Sequence, residues 1–375
     1  MIKQIRFVFA AGVLAIGSSS AFAQSSACSS IQSLIASGSC TGTCITSYQT
    51  NHPECFGSTS STAGASQSIG ITTVQQMLTI SNAASARFTA FQTPGRTVAD
   101  AGQSSGLAAG SASSKWNVWG ALSDDHNKYD GGTVANKQIK SDLNVTNVVL
   151  GADYLLSPTL AFGASVAFDR GNGTGESINA GVSNGQTTST TSGYTIAPYL
   201  AWSINKDLSL DGTIGWGDSD LSSSGNLAGS SKRFFYGANL NYTHWYGNWQ
   251  VTGKGSYLYG EEKFGDLTTN GATMANTATK NKLDQWRLGA QAGYWMNGVM
   301  PYFGLSYSTD GRSTSADAAT QAATDDLGKS AWLWSLGVNF ISLKNSMTGG
   351  IVYNQESGRS HGKRDNLMAN INVRF

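Results

Sequence analysis

The sequence is short of charge and of proline. Of its 375 residues, 13% are Asp, Glu, Lys or Arg and only 5 are Pro. A typical soluble domain carries about 25% charge and about 5% Pro. The 24 Lys and Arg balance 23 Asp and Glu, leaving a net charge of +1. That excludes the strongly basic footprint of a general nucleic-acid binder. Long apolar runs are missing as well. After Ala23 no stretch of roughly eighteen apolar residues occurs, which excludes a bundle of membrane-spanning helices. Hydrophobic residues still make up 40%, too many for a merely disordered chain. What the chain has in excess is glycine, 45 residues, together with 10% aromatics. That combination describes many strands with polar, non-ionic faces. A membrane β-barrel stays open, because its strands are short and only half apolar.

Cysteine is scarce and confined. Cys28, Cys40, Cys44 and Cys55 are all there are. They follow a segment with Lys3 and Arg6, an apolar run Phe7 to Ile16, and the small-x-small triplet Ala21-Phe22-Ala23. This reads as a secretory signal over 1–23, with the mature chain starting at Gln24. The rival reading, an anchored helix, asks the apolar run to span a membrane, and it is too short. In an oxidising compartment the four cysteines predict two local disulfides, with three possible pairings. A zinc site is the alternative; the spacing lacks paired C-x-x-C units and only His52 is near. Gly57 to Ser68 is a Ser/Thr/Gly/Ala-rich linker. Together these make 24–71 a short exported segment.

Thr72 to Phe91 has helical spacing. Val74, Met77, Leu78, Ala84, Phe88 and Phe91 recur at three and four residues, Thr72 or Thr73 can cap the start, and Pro94-Gly95 stops it. Twenty residues give a helix of about 30 Å, the thickness of a bilayer core. Gln75, Gln76, Ser81, Asn82 and Arg87 keep it out of lipid. It suits either packing on another element or a wet pore. Residues 92–115 form a second linker.

From Trp116 onward the pattern has period two. Leu367, Ala369, Ile371, Val373 and Phe375 share one face; Asn366, Met368, Asn370, Asn372 and Arg374 share the other. Trp332, Trp334, Leu336, Val338 and Phe340 make another apolar face. About twelve such segments occur, an even number as closure expects. They fall at 116–123, 144–155, 159–169, 192–203, 207–217, 233–246, 248–259, 284–296, 299–308, 331–341, 346–354 and 365–375. Closure requires residues 116–122 to pair antiparallel with 365–375 and so remove both edges.

The connections alternate in length. Residues 124–143, 170–191, 218–232, 260–283, 309–330 and 355–364 read as long polar loops. Leu156-Ser157-Pro158, Ile204-Asn205-Lys206, Gly247, Asn297-Gly298 and Leu343-Lys344-Asn345 are short turns. A soluble sandwich has no reason to alternate so regularly, whereas a membrane barrel has short periplasmic turns and long outer loops. Tyr154, Trp202, Trp245, Tyr246, Trp249, Tyr294 and Trp295 gather near the short turns, where an interfacial girdle belongs. The opposite faces carry Asn, Ser, Thr and Gly. Asp153, Asp169, Asp211, Lys254, Arg287 and Arg374 are read there as lumen-facing charges on a solvated wall.

These features resemble the C-terminal translocator domain of autotransporters, the type V secretion family. The resemblance is carried by the entry strand Lys115-Trp116-Asn117-Val118-Trp119-Gly120, the strand count, and the final strand Asn370-Ile371-Asn372-Val373-Arg374-Phe375. It covers 116–375 and the helix upstream. It implies an all-β transmembrane barrel with a helix threading the pore. It implies an outer membrane of a Gram-negative bacterium, with the long loops at the cell surface. It implies that Ile371, Val373 and Phe375 form the signal read by the barrel assembly machinery. Periplasmic chaperones, outer-membrane lipid and lipopolysaccharide are the other implied partners, and the barrel is expected to be a monomer. Twelve strands tilted about 40° give a backbone diameter of roughly 24 Å and a bore near 10 Å, the width of one helix. The segment before the helix is far shorter than the passengers this family usually exports.

Catalytic and cofactor motifs do not emerge. Gly217-Asp218-Ser219 opens like a Gly-Asp-Ser esterase block but lacks the strand–helix context. His52, His126, His244 and His361 lie among loop charges or aromatics, without a serine partner. The expected protein is a non-enzymatic barrel without cofactor or metal. It is expected to anchor its own N-terminal segment, with transport of that segment to the cell surface as the finer expectation. The alternative is a porin-like channel, or a structural or adhesive barrel acting through its surface loops.

Overall fold

The computed structural model describes residues 115–131, 137–179, 182–224, 227–269, 272–273, 278–314, 328–342 and 347–375. The signal, the four cysteines, the 72–91 helix and both linkers, Lys115 apart, lie outside the described residues. So does the turn at 343–345.

The strands are β1 (Trp116–Asp130), β2 (Lys137–Ser157), β3 (Leu160–Asn179), β4 (Val182–Ser203), β5 (Leu208–Ser223), β6 (Leu227–Tyr246) and β7 (Trp249–Phe264). Two-residue strands β8 (Thr268–Thr269) and β9 (Ala272–Thr273) form a small hairpin on the edge of β6. Then come β10 (Thr279–Tyr294), β11 (Val299–Thr314), β12 (Ser330–Ser342), β13 (Met347–Ser357) and β14 (Gly362–Arg374). Apart from the β8–β9 hairpin, each strand pairs antiparallel with its sequence neighbour, and β7 pairs with β10. The ring closes where β1 meets β14, from Asn117 opposite Arg374 to Tyr129 opposite Gly362. Trp116 and Phe375 exchange backbone hydrogen bonds of 3.2 and 3.1 Å at that seam. The result is a closed twelve-strand antiparallel barrel.

The short turns share one end. Asn297 and Gly298, with φ of 47° and 98°, make the tight turn that matches strand twist. Met296 and Val299 exchange backbone hydrogen bonds across it, at 2.8 and 3.2 Å. At Ile204–Asp207 the Asn205 side chain accepts from the amides of Asp207 and Leu208, both at 2.9 Å. This is an Asn-nucleated turn of the kind that replaces a backbone turn.

The strands run further than expected. Most of 124–143, 170–191 and 218–232 is strand rather than loop. β3 holds 20 residues and β4 holds 22, where about 9–11 cross a membrane. The excess stands beyond the apolar band. There both faces are polar, so the alternation that marks a strand in lipid is lost from the composition.

The outward faces define that band. On β7 they read Trp249, Val251, Gly253, Gly255, Tyr257 and Tyr259, then Glu261 and Lys263. On β10, from the turn, they read Tyr294, Ala292, Ala290, Leu288 and Trp286, then Asp284, Lys282 and Lys280. The same switch follows Leu122 on β1, Phe168 on β3, Trp216 on β5 and Leu367 on β14. About ten residues of tilted strand cover about 25 Å, the height of a lipid-facing belt. Leu288 is 73% exposed on this face, while Leu283 on the inward face of the same strand is fully buried. Inward rings lie flat along the wall over glycine. A Cβ at Gly151 would collide with the Trp119 ring, and one at Gly215 with Phe235.

Candidate functional site: the barrel interior

Alternation sends every second side chain inward, so strand parity alone selects the lining. Nearest the short turns, Asp153 accepts from Asn117 Nδ2 and from the Tyr199 hydroxyl, both at 2.8 Å. Trp119 Nε1 donates to the same Tyr199 oxygen at 2.8 Å. Further round, Asp211 accepts from Asn239 at 2.7 Å and from Asn241 at 3.3 Å. Lys254, Arg287 and Arg374 are also inward and buried.

Three ionic clusters line the outer end. Arg233 on β6 donates to both oxygens of Asp169 on β3, at 2.7 and 3.1 Å. Arg364 on β14 reaches Asp125 on β1 through Nε at 3.1 Å and Nη2 at 2.5 Å. Arg359, between β13 and β14, bridges Glu356 and Asp310, each at 2.5 Å, and donates to the Gly328 carbonyl at 2.9 Å. Burial opposes the charge on Arg359, but Glu356 and Asp310 outweigh it and raise the pKa of this guanidinium. Beside the Asp169 cluster, Ser231 donates to Glu262 at 2.7 Å. Burial pushes the Glu262 carboxyl up to about 8, against the pull of Arg233.

Gln250, Asn281 and Asn366 point inward, buried, with both amide atoms lacking a partner among the described residues. A buried polar group left unpaired costs about 1–3 kcal/mol. Such a lining suits contact with water or with a polar chain, and not with lipid. Among the described residues no group of three His, Cys, Asp or Glu is placed to hold a metal.

A closed barrel of twelve strands with this lining can be compared with known proteins. The family model described as "Autotransporter beta-domain" matches residues 118–354. The chain belongs to the autotransporter β-domain family. Solved structures agree on the fold. The translocator domain of the autotransporter NalP from Neisseria meningitidis superposes with a TM-score of 0.54 at 12% identity. That match covers 74% of this chain and 96% of the other. The β-domain of the Bordetella autotransporter BrkA gives 0.50 at 13% identity, covering 70% and 100%. No curated protein sequence matches the chain. An autotransporter β-domain sits in the outer membrane of a Gram-negative bacterium, and translocator barrels of this kind are generally non-enzymatic.

In this autotransporter barrel all six charges singled out in the sequence face inward and are buried. Asp153, Asp169 and Asp211 are hydrogen-bonded into networks rather than standing singly on the wall. Ile371, Val373 and Phe375 lie on the outward, exposed face of the β14 end. Asp218 faces outward and takes a bond from the Tyr194 hydroxyl, while Ser219 faces inward onto Ser231. The Gly-Asp-Ser triplet therefore splits across the wall. His126 lies on the outer face of β1, 2.9 Å from Asp142, and not in a loop. His244 lies parallel to the Tyr242 ring and edge-on to Tyr246 at the short-turn girdle.

Sequence reading missed Asp125, Glu262, Asp310, Glu356 and Arg364 because they lie past the strand ends it assumed. Their parity held the signal: Asp125 continues the inward row Asn117, Trp119, Ala121 and Ser123. Arg233 was inside an assigned strand, on the same face as Asn239 and Asn241. Arg359 lies between strands, where no parity applies.

Proposed function

We propose that this barrel anchors and carries its own N-terminal segment, residues 24–71, to the cell surface, with the 72–91 helix running through the lumen. The observation that carries this reading is the polar, amide-lined interior of a closed twelve-strand wall whose first strand starts at the short-turn end. A chain joined to Lys115 enters from that end. A helix of about 30 Å spans the belt, and its glutamines, asparagine and arginine would meet Gln250, Asn281 and Asn366. The charged lining serves that passage and has no catalytic part. Proteolysis of intact cells tests the reading. Release of 24–71 supports it; protection of 24–71 while the surface loops are cut overturns it. Conductance separates the porin-like alternative: a large, steady channel in the full-length protein would favour that one.

Two smaller assignments belong with it. Cys28, Cys40, Cys44 and Cys55 form two disulfides in the exported segment, to be checked by thiol labelling with and without reductant. Ile371, Val373 and Phe375 form the row read during assembly. Burying one such side chain in a groove contributes about 1.5–3 kcal/mol, a tenfold or larger effect on recognition. Deleting Phe375 should therefore cut the folded, heat-modifiable fraction in outer membranes at least tenfold. Normal amounts would remove the residue from that role.

A further inference from the structure

The outward faces of β6, β7 and β10 carry a feature that translocation does not use. Lys232, Lys263 and Lys280 stand directly opposite one another across three adjacent strands, just above the apolar belt. Strands are about 4.8 Å apart, and like charges in directly opposed positions destabilise a sheet. Lys282 lies two residues below Lys280 on the same face. Glu261 takes part of this charge, at 3.1 Å from Lys263 and 2.8 Å from Lys280. Burial works to raise the Glu261 pKa, but bonds from Lys280, Lys263 and Tyr259 hold it near 2, so it is fully ionised. Asp218 and Asp284 flank the group, each already taking a tyrosine hydroxyl, from Tyr194 at 3.1 Å and Tyr257 at 2.7 Å. Among the described residues, Lys232 and Lys282 have no carboxylate within ion-pair distance. Two cations thus remain available at the headgroup level of the outer leaflet.

Below the lysines the surface changes twice. First comes an aromatic step. Tyr236 stacks on Tyr259 with centroids 5.1 Å apart, and Tyr257 meets Trp286 at 4.7 Å. Beneath it an apolar cleft of about 490 Å³ opens between Leu240, Leu288 and Tyr307, floored by Gly255. A Cβ at Gly253 or Gly255 would meet nothing within 4 Å, so the glycines keep the depression open. From Gly255 to Lys263 is eight residues, about 26 Å along the tilted strand. Cations above, rings at the interface and a cleft in the belt match an amphiphile with phosphate at its head and acyl chains below.

We propose that β6, β7 and β10 form a binding site for a phosphorylated, acylated glycolipid of the outer leaflet, of the lipopolysaccharide class. The lysine row takes the phosphates, the aromatic step meets the sugar–acyl junction, and the cleft takes one acyl chain.

The full-length protein, extracted in detergent, is delipidated and incubated with purified lipopolysaccharide, and the glycolipid retained after gel filtration is measured. The wild type should retain it, and retention should fall as salt rises. The variant K232A/K263A/K280A should retain at least tenfold less, the matching Lys→Arg variant should keep most of it, and Gly255→Phe should lose it by filling the cleft. Heat-modifiable mobility confirms that each variant is folded. Should the alanine triple not fold, Gly255→Phe and salt carry the same comparison. Dephosphorylated lipopolysaccharide should bind at least tenfold more weakly, and phosphatidylglycerol vesicles should not compete. Equal retention by wild type and folded variants overturns the site. Equal binding of the dephosphorylated form overturns the role of the lysines, and equal competition by phosphatidylglycerol overturns the glycolipid assignment.

Discussion

Asp169 and Arg233 meet at 2.7 Å inside the barrel with both side chains essentially inaccessible. Lys263 and Glu261 meet at 3.1 Å just outside it, with the lysine side chain 61% exposed. Arg233 on β6 stands opposite Glu262 on β7, between Glu261 and Lys263, so the two pairs meet near one point of the wall on its opposite faces. Their geometry is similar and their energetics are not. An exposed pair gains about 0–1 kcal/mol, because water screens it and two long side chains lose freedom. A buried pair gains little over an apolar replacement, yet losing one partner strands a charge away from water and costs about 3–5 kcal/mol. The inner clusters are therefore better understood as fixing which strands lie near one another round the wall, β3 with β6 and β1 with β14, than as a store of stability.

The sharpest way to break this contrast is to remove one inner partner. Asp169→Ala should destabilise the refolded barrel by about 3–5 kcal/mol in urea unfolding. The double variant D169L/R233M should recover most of that loss. A single variant within about 1 kcal/mol of wild type would erase the difference between the faces. Moving a charge into the lipid belt comes next. Leu288→Lys, at mid-belt on the outward face, should cost about 2–4 kcal/mol by the same measurement. A cost below about 1 kcal/mol would mean that this face does not meet lipid.

Glu262 sharpens the comparison through pH. Its folded carboxyl stands near 8, against an ordinary value of 4.5. The folded barrel thus binds this proton more tightly than the unfolded chain does. The stabilisation is whole below pH 4.5 and is lost as pH rises through 8. The urea midpoint should fall between pH 5 and pH 9, and Glu262→Gln should flatten that fall; an unchanged slope in the variant would remove Glu262 as its source. The smallest effect belongs to the rim. Lys140 lies 3.8 Å from Asp130, both well exposed, and Lys140→Ala should change stability by less than about 1 kcal/mol. A larger loss would show the rim pairs acting as the inner ones do.

The lipid-crossing part of the fold was legible because lipid enforces a pattern. Apart from Met368, Leu367 to Phe375 alternates apolar and polar, since one face meets acyl chains and the other a mostly polar lumen. The seam between β1 and β14 followed from closure alone. Above the belt that constraint lapses. Thr187 to Thr191 is Thr-Thr-Ser-Thr-Thr in strand β4, identical in character at odd and even positions, and nothing in it distinguishes strand from loop. The interior was legible in half. Asp153, Asp169 and Asp211 could be placed inward by parity; Asp211 finds its partners on the next strand, but the ionic clusters draw on strands further away in sequence. Arg233 is 64 residues from Asp169, and Arg364 is 239 from Asp125. Only the register of the closed sheet brings them together.

The unequal strand lengths have a mechanical consequence. β2, β3 and β4 run for 21, 20 and 22 residues, while β12, β13 and β14 run for 13, 11 and 13. Among the described residues the long strands β2, β3 and β4 thus gather on one side of the ring and the short strands β12, β13 and β14 on another. Of the twelve wall strands β13 is the shortest, at 11 residues, and Arg359 follows its end. On the proposed translocation, a chain leaving the barrel would be backed by the long strands and given room by the short ones, so that its exit would have a direction in the plane of the membrane as well as across it.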